Sequence, residues 1–266
     1  MAVFALRQVG FCIPLIMGCL PLAAQSARPH LEFEPHGSSF QLVLVNDSER
    51  AIEAFSVRQT CAKSGEFTAA ILYNGLRGTT GIIESGEHRG VGGGWKSPSG
   101  DLACDAQLEA VFFADGSFEG NEAAVRGLKA RSDGITASVN YWVDRIKREK
   151  PDGSTLGLLV DAIKQRVAAD KAQQGRYPLN PEQGTPPLLW EYWEGMREVD
   201  SALAARFPRD LSTVNTNELL QRVTDYMERR KADIDGTEAL QKLNSVFPPI
   251  SEHGEVGDKA PGGSTQ

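Results

Sequence analysis

Near Gly116 the apolar side chains stop recurring at every second position and begin to recur at every third or fourth. A period of two suits a half-buried strand and a period near 3.6 suits a helix, so a sheet half followed by a helical half is expected. Before the change, Ser39 to Val45 sets Phe40, Leu42 and Leu44 against Gln41, Val43 and Val45, then stops at the turn signal Asn46-Asp47-Ser48. Ala51 to Thr60 places Ile52, Ala54, Ser56 and Arg58 on one face and Phe55 and Val57 on the other. Phe67 to Tyr73 is a third run, Gly78 to Glu84 a short fourth, and Leu102 to Ala114 the longest, closed by Asp115-Gly116. In that last run Cys104, Ala106, Leu108, Ala110 and Phe112 share a face.

After the change, Val125, Leu128, Ser132, Ile135, Val139, Trp142 and Ile146 form one helical stripe broken only by the polar Ser132, with Gly134 weakening helix propensity at its middle. Its exit is marked by Lys147, Arg148 and Lys150 before Pro151-Asp152-Gly153. A second helix is expected from Ser154 to Gln174, with Leu156, Leu159, Ile163 and Val167 inward and Lys164, Arg166 and Lys171 outward. The proline-rich stretch 175–187 reads as a linker. Helical spacing resumes through Leu189, Trp193, Met196, Asp200 and Leu203, then in a helix opened by Thr216-Asn217-Glu218, and finally from Glu238 to Val246. The expected fold class is therefore α+β: an N-terminal antiparallel β-sandwich-like domain over residues 28–117, then a helical region of four to five helices over 118–249. At fold level the strand half resembles an immunoglobulin-like domain, without the Cys, Trp, Cys spacing of that family, because Trp95 falls in a glycine-rich loop.

Residues 1–27 have the order of a cleavable signal peptide: Arg7, an apolar stretch from Val9 to Ala24, then the small-residue run ending at Ala27. Pro14 and Pro21 oppose a stable membrane-spanning helix, and the stretch is shorter than the roughly 20 apolar residues a span needs. Ile16-Met17-Gly18-Cys19 resembles a bacterial lipobox, which would anchor a lipid at Cys19. Met17, and an apolar run that continues past Cys19, count against it. The expected location is periplasmic or extracellular. Residues 250–266, rich in glycine and charge, are expected to be disordered.

Signal removal leaves Cys61 and Cys104, which in an oxidising compartment are expected to form one disulfide. It also leaves 27 basic residues against 35 acidic ones, a net charge near −8, which disfavours nucleic acid and anionic lipid as partners.

Motifs for chemistry are weak. His30, His36, His88 and His253 are not spaced as zinc ligands, and no cofactor motif is present. The run Gly90 to Ser97 lacks the glycine before Lys96 and the following helix of a phosphate loop, so it reads as a mobile loop with Trp95 as a possible partner contact. Asp233-Ile234-Asp235-Gly236 has lysines, Lys231 and Lys242, where a calcium loop needs acids. Glu191 and Glu194 beside Trp190, Tyr192 and Trp193 have the residue types of a sugar-processing site, although the spacing puts the glutamates on a surface stripe and the tryptophans on the apolar one. The expectation is thus an exported non-enzymatic protein that binds or scaffolds, with a protein partner or self-association through its helices. The alternative is a hydrolase of envelope polymers using acids of the helical half.

Overall fold

The computed structural model describes residues 28–36, 39–61, 73–74, 82–94, 104–177, 187–208 and 210–255. The expected leader, Trp95, most of the third and fourth strand runs, the centre of the proline-rich stretch and residues 256–266 lie outside them. The fold is α+β, with two small antiparallel sheets followed by five helices among the described residues. Strands β1 (His30–His36), β2 (Ser39–Val45) and β5 (His88–Gly94) form the first sheet in the order β1-β2-β5. Strands β3 (Ile52–Cys61), β4 (Tyr73–Asn74), β6 (Cys104–Phe113) and β7 (Phe118–Gly120) form the second in the order β4-β3-β6-β7. The stretch Gly90 to Gly94, expected in a mobile loop, is a strand. Its glycines leave room for β2, since a Cβ on Gly90 would sit 1.8 Å from Nε2 of Gln41.

Three bulges revise the simple alternation. On β3, Ile52 pairs with Phe113 and Ala54 with Phe112, so Glu53 is the extra residue. Ile52 therefore joins Phe55 and Val57 in one hydrophobic cluster, while Ala54 joins another, where strict alternation had put Ile52 and Ala54 together. On β6 the extra residue is Glu109, between Leu108 opposite Val57 and Ala110 opposite Ser56. Ala106 and Leu108 accordingly pack with the first cluster, whereas Ala110 and Phe112 face the second. On β5 it is Val91, which fills the first cluster beside Leu42 and Leu44 of β2. That cluster lies between the two sheets, and the other lies between the second sheet and the helices.

The Asp115-Gly116 turn forms as expected, with Gly116 at φ 84° and the Ser117 N–H donating to Asp115 Oδ1 at 2.8 Å. The helix begins later than Phe118, because Phe118 returns alongside Phe112 as β7. Gly120, at φ 103°, then turns the chain off the sheet, the Asn121 N–H takes the Glu109 carbonyl at 2.7 Å, and Asn121 caps the next helix.

That helix, α1 (Glu122–Glu149), spans about 42 Å at 1.5 Å per residue. Its first turns bury Ala124, Val125 and Leu128 on the second sheet, and Ile135 to Ile146 enter the helix–helix core. α2 (Leu156–Gln174) and α3 (Leu188–Ala204) follow, then a single 3-10 turn (Leu211–Thr213), α4 (Thr216–Asp235) and α5 (Glu238–Val246). Gly134 is the point where α3 touches α1: a Cβ there would lie 1.9 Å from the Tyr192 carbonyl oxygen, and one on Gly195 would lie 2.1 Å from that of Arg131. α5 folds back so that Leu243 and Phe247 cover the second sheet, and the Lys242 Nζ donates to the Asp115 carbonyl at 2.8 Å. Beyond it Ile250–Ser251 (β8) and Gly254–Glu255 (β9) form a small hairpin in the segment expected to be disordered, seated where the Ile250 N–H donates to Asp133 at 2.8 Å.

Candidate functional site

A dense group of ionisable side chains lies between α1, α2 and α3. Arg131 of α1 stands 3.5 Å from Glu191, 3.1 Å from Glu194 and 3.6 Å from Glu198, all on α3. Glu191 is 2% exposed and Glu194 is buried, so both glutamates expected on a surface stripe lie inside. The cause is Arg131, itself buried, whose guanidinium calls for carboxylates around it. Glu194 also accepts from Arg197 Nε at 2.9 Å and from Gln174 Nε2 of α2 at 2.6 Å. Burial opposes its ionisation, but Arg197, Arg131 and Gln174 together hold its pKa below the ordinary carboxylate value.

Further along α3, Asp200 is fully buried. It accepts from Trp142 Nε1 at 2.6 Å and from the Ser138 hydroxyl, and pairs with Arg166 Nε at 2.9 Å. Arg166 thus turns inward rather than outward as its position in the stripe suggested, and its guanidinium lies 3.9 Å from the Tyr141 ring centroid. Asp170 of α2, 2% exposed, lies against Asp200; burial first, and then this like-charged neighbour, push its pKa up. Lys129 and Asp133 form a further pair on α1 at 2.6 Å. Tyr192 and Trp193 pack with Ala130, Met196 and Ile250 in a cluster of their own. The network joins three helices, with Glu191, Glu194, Asp170 and Asp200 buried and Glu198 at its partly exposed edge.

The remaining expected positions are scattered. His30 pairs with Glu32 and Asp47, His88 is exposed on β5, and His253 sits in the terminal hairpin. Among the described residues no group of three or more His, Cys, Asp or Glu side chains could hold a metal ion, and no helix is long and apolar enough to cross a membrane. Asp233 and Asp235 belong to the last turn of α4, capped at Gly236. The backbones of Cys61 and Cys104 are direct partners in the β3–β6 register.

No family model, curated protein or solved structure matches this chain. The assignment of a site therefore rests on geometry. Two open concavities stand out on the surface. One of about 430 Å³ lies along β6 and β7, between Arg28, Glu109, Glu119 and Gly120. The other, of about 440 Å³, lies against α4, with Leu219 and Val223 at its base and Arg206, Arg222, Tyr226 and Arg229 around it. Sequence reading passed over these arginines, although Arg222, Tyr226 and Arg229 have the i, i+4, i+7 spacing of one helix face.

Proposed function

We propose that the chain is an exported, non-catalytic binding protein, in which the N-terminal sheets act as a sandwich-like, immunoglobulin-like module braced by the helices. One observation carries the reading: Glu191 and Glu194, the carboxylates a hydrolase of the helical half would need at an open mouth, are interior partners of Arg131. A general acid must reach the bond it protonates, and a carboxylate enclosed in a helix interface does not. The open groove against α4 instead carries arginine and tyrosine beside apolar side chains, the composition of recognition sites.

Export is supported by the cysteines. Directly opposed residues of an antiparallel pair have Cα atoms about 4.5–5.5 Å apart, within the range a disulfide spans. Cys61 and Cys104 hold that relation, and closing their loop of roughly 40 residues would stabilise the fold by about 3–4 kcal/mol in an oxidising compartment.

The test has two arms. Expression in an exporting host should give a mature N-terminus near Gln25 or Arg28 by mass spectrometry, with no free thiol after denaturation without reductant; an uncleaved chain with two free thiols overturns export. Incubation with purified envelope polymer should release no soluble saccharide, and release that disappears in Glu194→Gln overturns the non-catalytic reading.

A further inference from the structure

We propose that the groove against α4 is a binding site for a compact organic dianion, gripped by Arg206, Arg222 and Arg229 above an apolar base; this deepens the reading of the chain as a binding protein and rests on it. Arg222 and Arg229 lie two helical turns apart on one face of α4, with Asp225 and Tyr226 between them. Both arginines are exposed, and among the described residues neither guanidinium makes a hydrogen bond or an ion pair. Arg206 enters from just beyond the end of α3. Its Nη1 donates to the Ala202 carbonyl at 2.6 Å and its guanidinium stacks 3.3 Å from the Tyr226 ring centroid. Stacking fixes the plane of a guanidinium and leaves its other edge free, which is how arginine presents paired N–H groups to an oxyanion.

Charge and volume narrow the ligand. Among the described residues Asp225 is the one acid lining the groove, and its carboxylate accepts from Gln221 Nε2 at 2.7 Å. Three guanidiniums against one carboxylate leave an excess of two positive charges, which a dianion balances. The chain as a whole carries a net charge of −7, so an extended polyanion is repelled by the surrounding surface, whereas a small ligand feels mainly the local arginines. A volume of about 440 Å³ suits a small molecule. Leu219 and Val223 close the bottom of the groove as buried members of the helical core, and the half-buried Tyr226 ring offers contact to an apolar body attached to the charged head. A phosphate monoester and a dicarboxylate share this chemistry.

Calorimetric titration of the full mature chain with phenyl phosphate, phthalate and inorganic phosphate tests the site. We expect at least one aromatic dianion to bind more tightly than inorganic phosphate, to weaken with added salt, and to lose about tenfold or more in affinity in Arg222→Ala and in Arg229→Ala. The preference between phenyl phosphate and phthalate identifies the head group. Unchanged circular dichroism and thermal midpoints in both variants show that the fold is intact. No binding at millimolar concentration, or affinity that survives both substitutions, overturns the site while leaving the binding role of the sheet half standing. Release of phenol that depends on the same arginines supports the site and overturns the non-catalytic reading.

Discussion

Glu53 is the extra residue of a bulge in β3, 7% exposed, with no ion pair or hydrogen bond to its carboxyl among the described residues. Burial pushes its pKa up to about 7. The folded state therefore holds the proton more tightly than the unfolded chain, whose glutamate titrates near 4.5. Stability from this group is complete below that lower value and falls as pH rises through 7, by about 3 kcal/mol in all. Glu53→Gln should match the wild type near pH 4 and exceed it by about 2–3 kcal/mol at pH 8, measured by urea denaturation at the two pH values. Arg131 has the opposite character. Replacing it with Met removes the cation that Glu191, Glu194 and Glu198 share inside the helix interface, leaving Glu194 to Arg197, and should cost about 3–5 kcal/mol in the same measurement. Neither environment was legible in the sequence. Alternation gives Glu53 a place in a strand but not its bulge, and a helical stripe assigns Glu191 to solvent because the partner that draws it inward is 60 positions away.

The elements themselves were more legible than their contacts. The stripe from Val125 to Ile146 is buried throughout and α5 occupies the expected span, because local spacing sets which face of a helix is apolar. Gly134, read as a weak point of α1, is where that helix meets α3, a contact that only the tertiary arrangement reveals. The backbone carbonyls facing Gly134 and Gly195 cannot rotate aside. Gly134→Ala and Gly195→Ala should therefore each destabilise by about 1–3 kcal/mol or more, despite alanine's better helix propensity. Gly157 is the control: nothing lies within 4 Å of a Cβ built there, and Gly157→Ala in α2 should stabilise by up to about 1 kcal/mol. Thermal midpoints of the three variants, compared side by side, check the contrast.

At the scale of the molecule, α1 contributes to both the sheet–helix core and the helix–helix core, so neither half can lose its packing without disturbing the other. The change of rhythm near Gly116 marks a change of secondary structure and not a break in cooperativity. Equilibrium unfolding should show one transition, with tryptophan fluorescence, reporting Trp142 and Trp193 in the helices, coincident with far-ultraviolet circular dichroism. Two separated transitions would show that the halves are independent. Closure of the whole depends on the far end of the chain: Lys242 reaches Asp115 across 127 positions, and Ile250 reaches Asp133 across 117. Leu243 and Phe247 are made about 130 residues after Phe112 and Phe118, which lack that cover over the interval. The core between sheet and helices is therefore closed only once that later segment exists, which gives a chaperone an interval in which to hold the nascent polypeptide open.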